Sequence, residues 1–75
     1  MELKLTAYLL VDQGKENVID KKEFDNTKDA IDWFKKSYKE ITSGEPTADE
    51  IDYFKKFYDV IETYDKSYTW RLVPL

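Results

Sequence analysis

The sequence predicts one small α+β domain with the element order ββααβ, a three-stranded antiparallel sheet carrying a two-helix hairpin on one face. Two patterns predict it: apolar residues alternate strictly near both ends of the chain, and through the middle they recur at helical spacing. With 75 residues there is room for a single domain, residues 1–75, because a chain this short buries only about 60% of the surface its unfolded form exposes. The chain is 41% hydrophobic and 16% aromatic, with two glycines and two prolines. That composition specifies a folded core built from aromatic bulk, despite a charged fraction of 37%.

Residues 3–11 place Leu3, Leu5, Ala7, Leu9 and Val11 on one face and Lys4, Thr6, Tyr8 and Leu10 on the other, the signature of a strand with one buried side. The stretch from Asp12 to Glu16 has turn chemistry. Val18 to Phe24 follows as a more polar second strand, paired with the first as a hairpin and placed at an edge guarded by Lys21, Lys22 and Glu23. Asp25-Asn26-Thr27 then opens a helix whose stripe is Ile31, Phe34, Tyr38 and Ile41, expected to end at Ser43-Gly44 with the glycine in the left-handed cap. Thr47 and Glu50 stand at capping-box spacing, and a second helix is expected from there to about Tyr64. Residues 68–73 alternate again, with Pro74 at the end, and give the third strand.

The two helical segments repeat one another: Ile31-Asp32-Trp33-Phe34-Lys35-Lys36-Ser37-Tyr38-Lys39-Glu40-Ile41 aligns with Ile51-Asp52-Tyr53-Phe54-Lys55-Lys56-Phe57-Tyr58-Asp59-Val60-Ile61. Two copies flanked by strands make no solenoid, so the repeat reads as two helices solving one packing problem. On the second helix Ile51, Phe54, Tyr58 and Ile61 form one stripe, and Tyr53, Phe57, Val60 and Tyr64 form another beside it. Either the two stripes pack on the sheet and on the first helix, or part of the second remains at the surface. Trp33, off the stripe of its own helix, is either a lid on the helix pair or an exposed anchor. On the sheet, Tyr8 and Leu10 are joined on the outer face by Tyr68, Trp70 and Leu72 or by Thr69, Arg71 and Val73, a second candidate surface suited to self-association.

The chain contains neither cysteine nor histidine. Disulfides, thiolate chemistry and Cys-based metal sites are thereby excluded, and the commonest acid/base near neutral pH is missing. No phosphate-binding loop, nucleophile elbow or calcium loop is present. Carboxylate pairs such as Asp49 with Asp52 and Asp59 with Glu62 read as the solvated face of a helix rather than a general acid/base pair. The lysines at 35, 36, 39, 55 and 56 read likewise. The expectation is a protein with no catalytic residues, no cofactor and no metal. The short, Thr-interrupted apolar run near the N-terminus is neither a signal peptide nor a membrane span, so a cytoplasmic location is expected.

Net charge is −4, and the acidity is concentrated: residues 45–65 hold seven acids against two bases. Such a surface disfavours direct nucleic-acid binding and favours a basic partner. Aromatic anchors beside acids are an interface composition, and the residues expected to make the contact are Asp49, Asp52, Tyr53, Asp59, Glu62, Tyr64 and Trp33. In size, acidity and lack of catalytic residues the chain is similar in kind to small antagonist proteins of phages and mobile elements, such as anti-CRISPR and anti-restriction proteins. That similarity implies an inhibitor whose second helix mimics a run of phosphates and occludes the basic nucleic-acid-binding groove of a host protein. The competing expectation is a homo-oligomeric accessory module, a homodimer in the simplest case, that uses an exposed aromatic sheet or helix face.

Overall fold

In a computed structural model, which describes residues 4–12, 15–63 and 66–74, the chain is α+β with two helices and a four-stranded antiparallel sheet. The elements are β1 (Leu5–Asp12), β2 (Glu16–Phe24), α1 (Thr27–Thr42), α2 (Ala48–Lys55), β3 (Val60–Thr63) and β4 (Ser67–Pro74). In space the strands run β2-β1-β4-β3, so β1 and β4 form the centre and β2 and β3 the edges. Among the described residues no helix is long and apolar enough to cross a membrane.

Alternation along β1 sorts its side chains as expected: Leu5, Ala7 and Leu9 enter the core together with Trp70 and Leu72 of β4 and Val60 of β3. Both helices cover this side. Thr69, Arg71 and Val73 therefore share the outer side with Thr6, Tyr8 and Leu10. The thinnest dimension is 18 Å, room for one sheet and one helix of about 10 Å diameter, so no helix covers the outer side. A bulge between Leu9 and Leu10 skips Ile19 in the pairing with β2 and carries Val18 opposite Leu10. Asp20, Lys21, Lys22 and Glu23 lie along the β2 edge, where charge discourages pairing with another chain.

Asn26 caps α1, its side-chain oxygen accepting from the Asp29 amide at 2.8 Å. At the other end the left-handed residue is Ser43 (φ 61°), one position before the expected Gly44. The Thr42 hydroxyl fastens this exit, donating to the Tyr38 carbonyl and accepting from the Gly44 amide. The capping box at α2 is present in both directions: the Thr47 amide donates to Glu50 at 3.0 Å and the Glu50 amide to the Thr47 hydroxyl at 3.2 Å.

The expected second helix to Tyr64 is corrected: α2 stops at Lys55, and residues 60–63 form a fourth strand. The repeat with residues 31–41 carried the helical period too far. From Val60 onward three of the four residues in Val-Ile-Glu-Thr are β-branched, and their burial alternates along the strand. As a strand it seats Val60 against Trp70 and pairs with the half of β4 nearest Ser67. Ile61, expected in a buried helical stripe, points to the uncovered side. Leu3 and Tyr64 lie outside the described residues.

At the core, Phe34 and Phe54 stack at 4.4 Å with planes 8° apart, and Trp70 meets Phe34 edge-on at 5.8 Å. The buried indole N–H donates to the Ser37 hydroxyl at 3.0 Å, so the largest core side chain leaves no polar atom orphaned. Phe54 is fully buried, and Phe→Ala in such a setting costs about 3–5 kcal/mol, a large share of the stability of a small domain. Phe54→Ala should therefore be largely unfolded at 37 °C. A urea midpoint close to that of the wild type would show that the stack is not the centre of the core.

Candidate functional site

Among the described residues the most exposed aromatic surface forms at the end of α2. There the helix terminates in a Schellman arrangement, the Tyr58 amide donating to the Tyr53 carbonyl at 2.9 Å and the Phe57 amide to the Phe54 carbonyl at 3.1 Å. That closure requires a left-handed residue, and the position is filled by Phe57 at φ 70° rather than by glycine. A bulky residue there is unusual and strained. The turn leaves Tyr53 (55% exposed), Phe57 (45%) and Tyr58 (62%) at the surface, followed by Ile61 (61%) on β3. The Tyr53 and Tyr58 rings meet edge to face at 6.0 Å, and together with Asp59 they line a shallow depression.

The charged residues around this corner separate into three settings. Asp49 and Tyr53 are one turn apart on α2 and share its outer face. Asp52 lies beside them and forms an ion pair with Lys56 at 2.9 Å. Asp59, placed after the turn rather than on the helix, receives Nε and a terminal nitrogen of Arg71, both at 2.8 Å. These hydrogen bonds outweigh partial burial and hold its carboxyl below the usual carboxylate range. The pair stabilises the fold above the ordinary Asp value, and that contribution is lost as pH falls through the lowered folded value.

Glu62 faces the opposite way, toward the helices, where its Oε1 accepts from the part-buried Tyr38 hydroxyl at 2.8 Å. Glu50, the capping-box acid, reaches the same hydroxyl at 3.2 and 3.3 Å. Hydrogen bonding to Glu50 raises the Glu62 carboxyl above its ordinary value. Burial works to raise Glu50 as well, but hydrogen bonds from Glu62, the Thr47 amide and Tyr38 prevail and lower it. Burial, reinforced by Glu62 and Glu50, pushes the Tyr38 hydroxyl well above the usual phenol range.

The structure thus brings together Asp49, Asp52 and Tyr53 on the outer face of α2, with Asp59 at the end of the following turn. It separates Glu62 from them, so the expected acidic helix face carrying Asp59 and Glu62 is corrected: helix α2 ends before either residue. Trp33 is half-buried, between Phe24 at 6.3 Å and Phe54 at 6.5 Å, the lid of the two expected arrangements. Tyr64 lies outside the described residues. The helical period assigns Tyr58 to the first apolar stripe, so its exposure was missed, whereas Phe57 belongs to the second stripe, part of which was one of the two alternatives for the surface. The aromatic pairs Tyr53-Phe54 and Phe57-Tyr58 on either side of Lys55-Lys56 were the available signal, being more rings than one helix face buries.

Elsewhere, Lys35, Lys36 and Lys39 are exposed and border a 440 Å³ depression floored by Pro46 and Ile51. Among the described residues no cluster of three or more acidic, His or Cys side chains could hold a metal ion. No protein-family model, no curated protein and no solved structure matches the chain.

The left-handed Phe57 gives a direct test of strain at the corner. Phe57→Gly and Phe57→Ala both remove the ring, but only glycine adopts the cap without steric conflict. Phe57→Gly should therefore be more stable than Phe57→Ala by about 1 kcal/mol in urea unfolding. Equal stabilities would mean the turn relaxes at no energetic penalty.

Proposed function

We propose that the protein is a non-enzymatic binding module of the small acidic inhibitor type, acting in the cytoplasm. In this reading Tyr53, Phe57 and Tyr58, flanked by Asp49 and Asp52, dock on a basic surface of a host protein and occlude its nucleic-acid-binding groove. The observation that carries the reading is the exposed aromatic trio, displayed by a turn that holds Phe57 in a strained conformation. Strain of this kind persists where the surrounding structure enforces it and concentrates at functional positions. Aromatic anchors supply contact area at low entropic cost, and neighbouring acids set orientation and encounter rate with a basic partner. The net charge of −4 disfavours direct binding to nucleic acid. The inhibitor assignment also draws on the similarity in kind to antagonist proteins of phages and mobile elements.

A continuous helical run of phosphate-mimicking acids is not part of this reading. Asp59 is engaged by Arg71 and Glu62 by Tyr38, which leaves Asp49 and Asp52 on the outer face of α2, where Asp52 shares its charge with the exposed Lys56. A second reading, self-association through the uncovered sheet face, is favoured by the exposed Val18 and Ile61 and the half-exposed Tyr8 and Val73 on that face. Under it, sedimentation would show a concentration-dependent dimer that Ile61→Lys dissociates.

For the first reading, the partner is captured from host lysate and binding is measured with and without competing nucleic acid. Tyr58→Ala should weaken the complex by about 2 kcal/mol or more, roughly 30-fold, as expected of an interface hot spot. Asp49→Asn with Asp52→Asn should lower affinity at low salt and much less at high salt, with little change in fold stability. Undiminished binding by both variants, or simultaneous binding of nucleic acid and this protein to the partner, would rule the proposed interface out.

A further inference from the structure

We propose that Glu50 and Glu62 hold a single proton between them around the Tyr38 hydroxyl, forming a pH-set latch that fastens the α2–turn–β3 unit to α1. The three side chains come from three elements: Tyr38 from α1, Glu50 from the first turn of α2 and Glu62 from β3. One phenolic hydroxyl lies within hydrogen-bond distance of both carboxyls, at 2.8 Å from Glu62 and 3.2 Å from Glu50. A phenol has one proton to donate, and an ionised carboxylate can only accept. With both acids ionised, one of them would face the phenol lone pairs and the other's charge in a partly buried setting. A proton on one carboxyl turns it into a donor, and all three groups are then satisfied.

Among the described residues, the groups that face the two carboxyls are phenols, a threonine and each other. From α1 the facing titratable group is Tyr38, from α2 it is Glu50 with the Thr47 amide and hydroxyl, and from β4 it is Tyr68, the cross-strand neighbour of Glu62. The ion pairs of Lys56 and Arg71 are made to Asp52 and Asp59, at the far end of the unit. The groups that act most strongly on Glu50 and Glu62 are each other, Tyr38 and Thr47.

The two acids bound the latch from opposite sides. Glu62 is raised in the folded state, so its contribution is fully present below its unfolded value and is lost as pH rises through the folded one. Glu50 is lowered, so its contribution is present above its unfolded value and is lost as pH falls through the folded one. The latch is closed between these limits and opens on the alkaline side, and both limits belong to the pair rather than to either residue. Closure ties the open end of the α2–turn–β3 unit, opposite the corner at residues 56–59.

The test pairs carbon-13 carboxyl NMR with thermal unfolding from about pH 5 to about pH 8, above the ordinary glutamate value. In Glu62→Gln the amide donates permanently to Glu50, and in Glu50→Gln, where Gln also serves the capping box, it donates to Glu62. The Glu62 carboxyl should titrate above the ordinary range in the wild type and return toward it in Glu50→Gln. The wild-type melting temperature should fall across this pH span, while those of both variants stay nearly level. A Glu62 carboxyl titrating in the ordinary range, or a wild type whose melting changes with pH no more than that of Glu62→Gln, would overturn the latch.

Discussion

Phe34, Phe54 and Trp70 meet where two helices and the sheet converge, and the rest of the domain is arranged around that contact. The flat stack of Phe34 on Phe54 sets the separation of α1 from α2. The edge-on approach of Trp70 fixes both to β4. A chain of 75 residues has too little interior to fill with small aliphatic side chains, so three large rings do that work in one place. Burying an indole leaves its N–H in need of a partner, and Ser37, on the same helix as Phe34, supplies it. The smaller apolar residues Ala7 and Ala30 are fully buried in the same core.

The segment after Phe54 is determined by this contact and by a conflict. Phe54 must stay in the stack, and Val60 must reach Trp70 from the neighbouring strand, which leaves only a few residues for reversal. The Schellman closure makes the reversal that tight, at the expense of a left-handed phenylalanine. The outcome is an aromatic corner that the core does not use, next to acids that are partly neutralised by Lys56 and Arg71. At the other end of the same unit, Glu50 serves the helix cap and the Tyr38 contact at once.

Most of the fold was legible in the residues. Alternation in β1 and β4, the helix start at Asp25-Asn26-Thr27, the capping box and the charged edge at β2 are local patterns with local causes, and each lies where its chemistry places it. The boundary of α2 was not legible, because residues 51–61 satisfy a helical period as well as residues 31–41 do. The choice between helix and strand there depends on Trp70, which belongs to a different strand. Of the candidate site, Asp49, Asp52 and Tyr53 were legible because they precede that boundary. Glu62 was assigned to the wrong surface and Asp59 to the wrong element because they follow it, and the pairing of Glu50 with Glu62 across two elements has no signature along the chain.

The strand order carries a consequence for biosynthesis. The two central strands, β1 and β4, are the first and last described elements, so the ladder of the sheet joins Leu5–Asp12 to Ser67–Pro74 across nearly the whole chain. A ribosome delivers residues in order, at about 5–20 per second, and during that interval β1 has only the charged β2 to pair with. The rings of Phe34 and Phe54 likewise wait for Trp70. Closing so long a loop before any central contact forms makes folding slow for the size of the domain. The nascent hairpin and helices thus remain open to chaperones and proteases until β4 arrives.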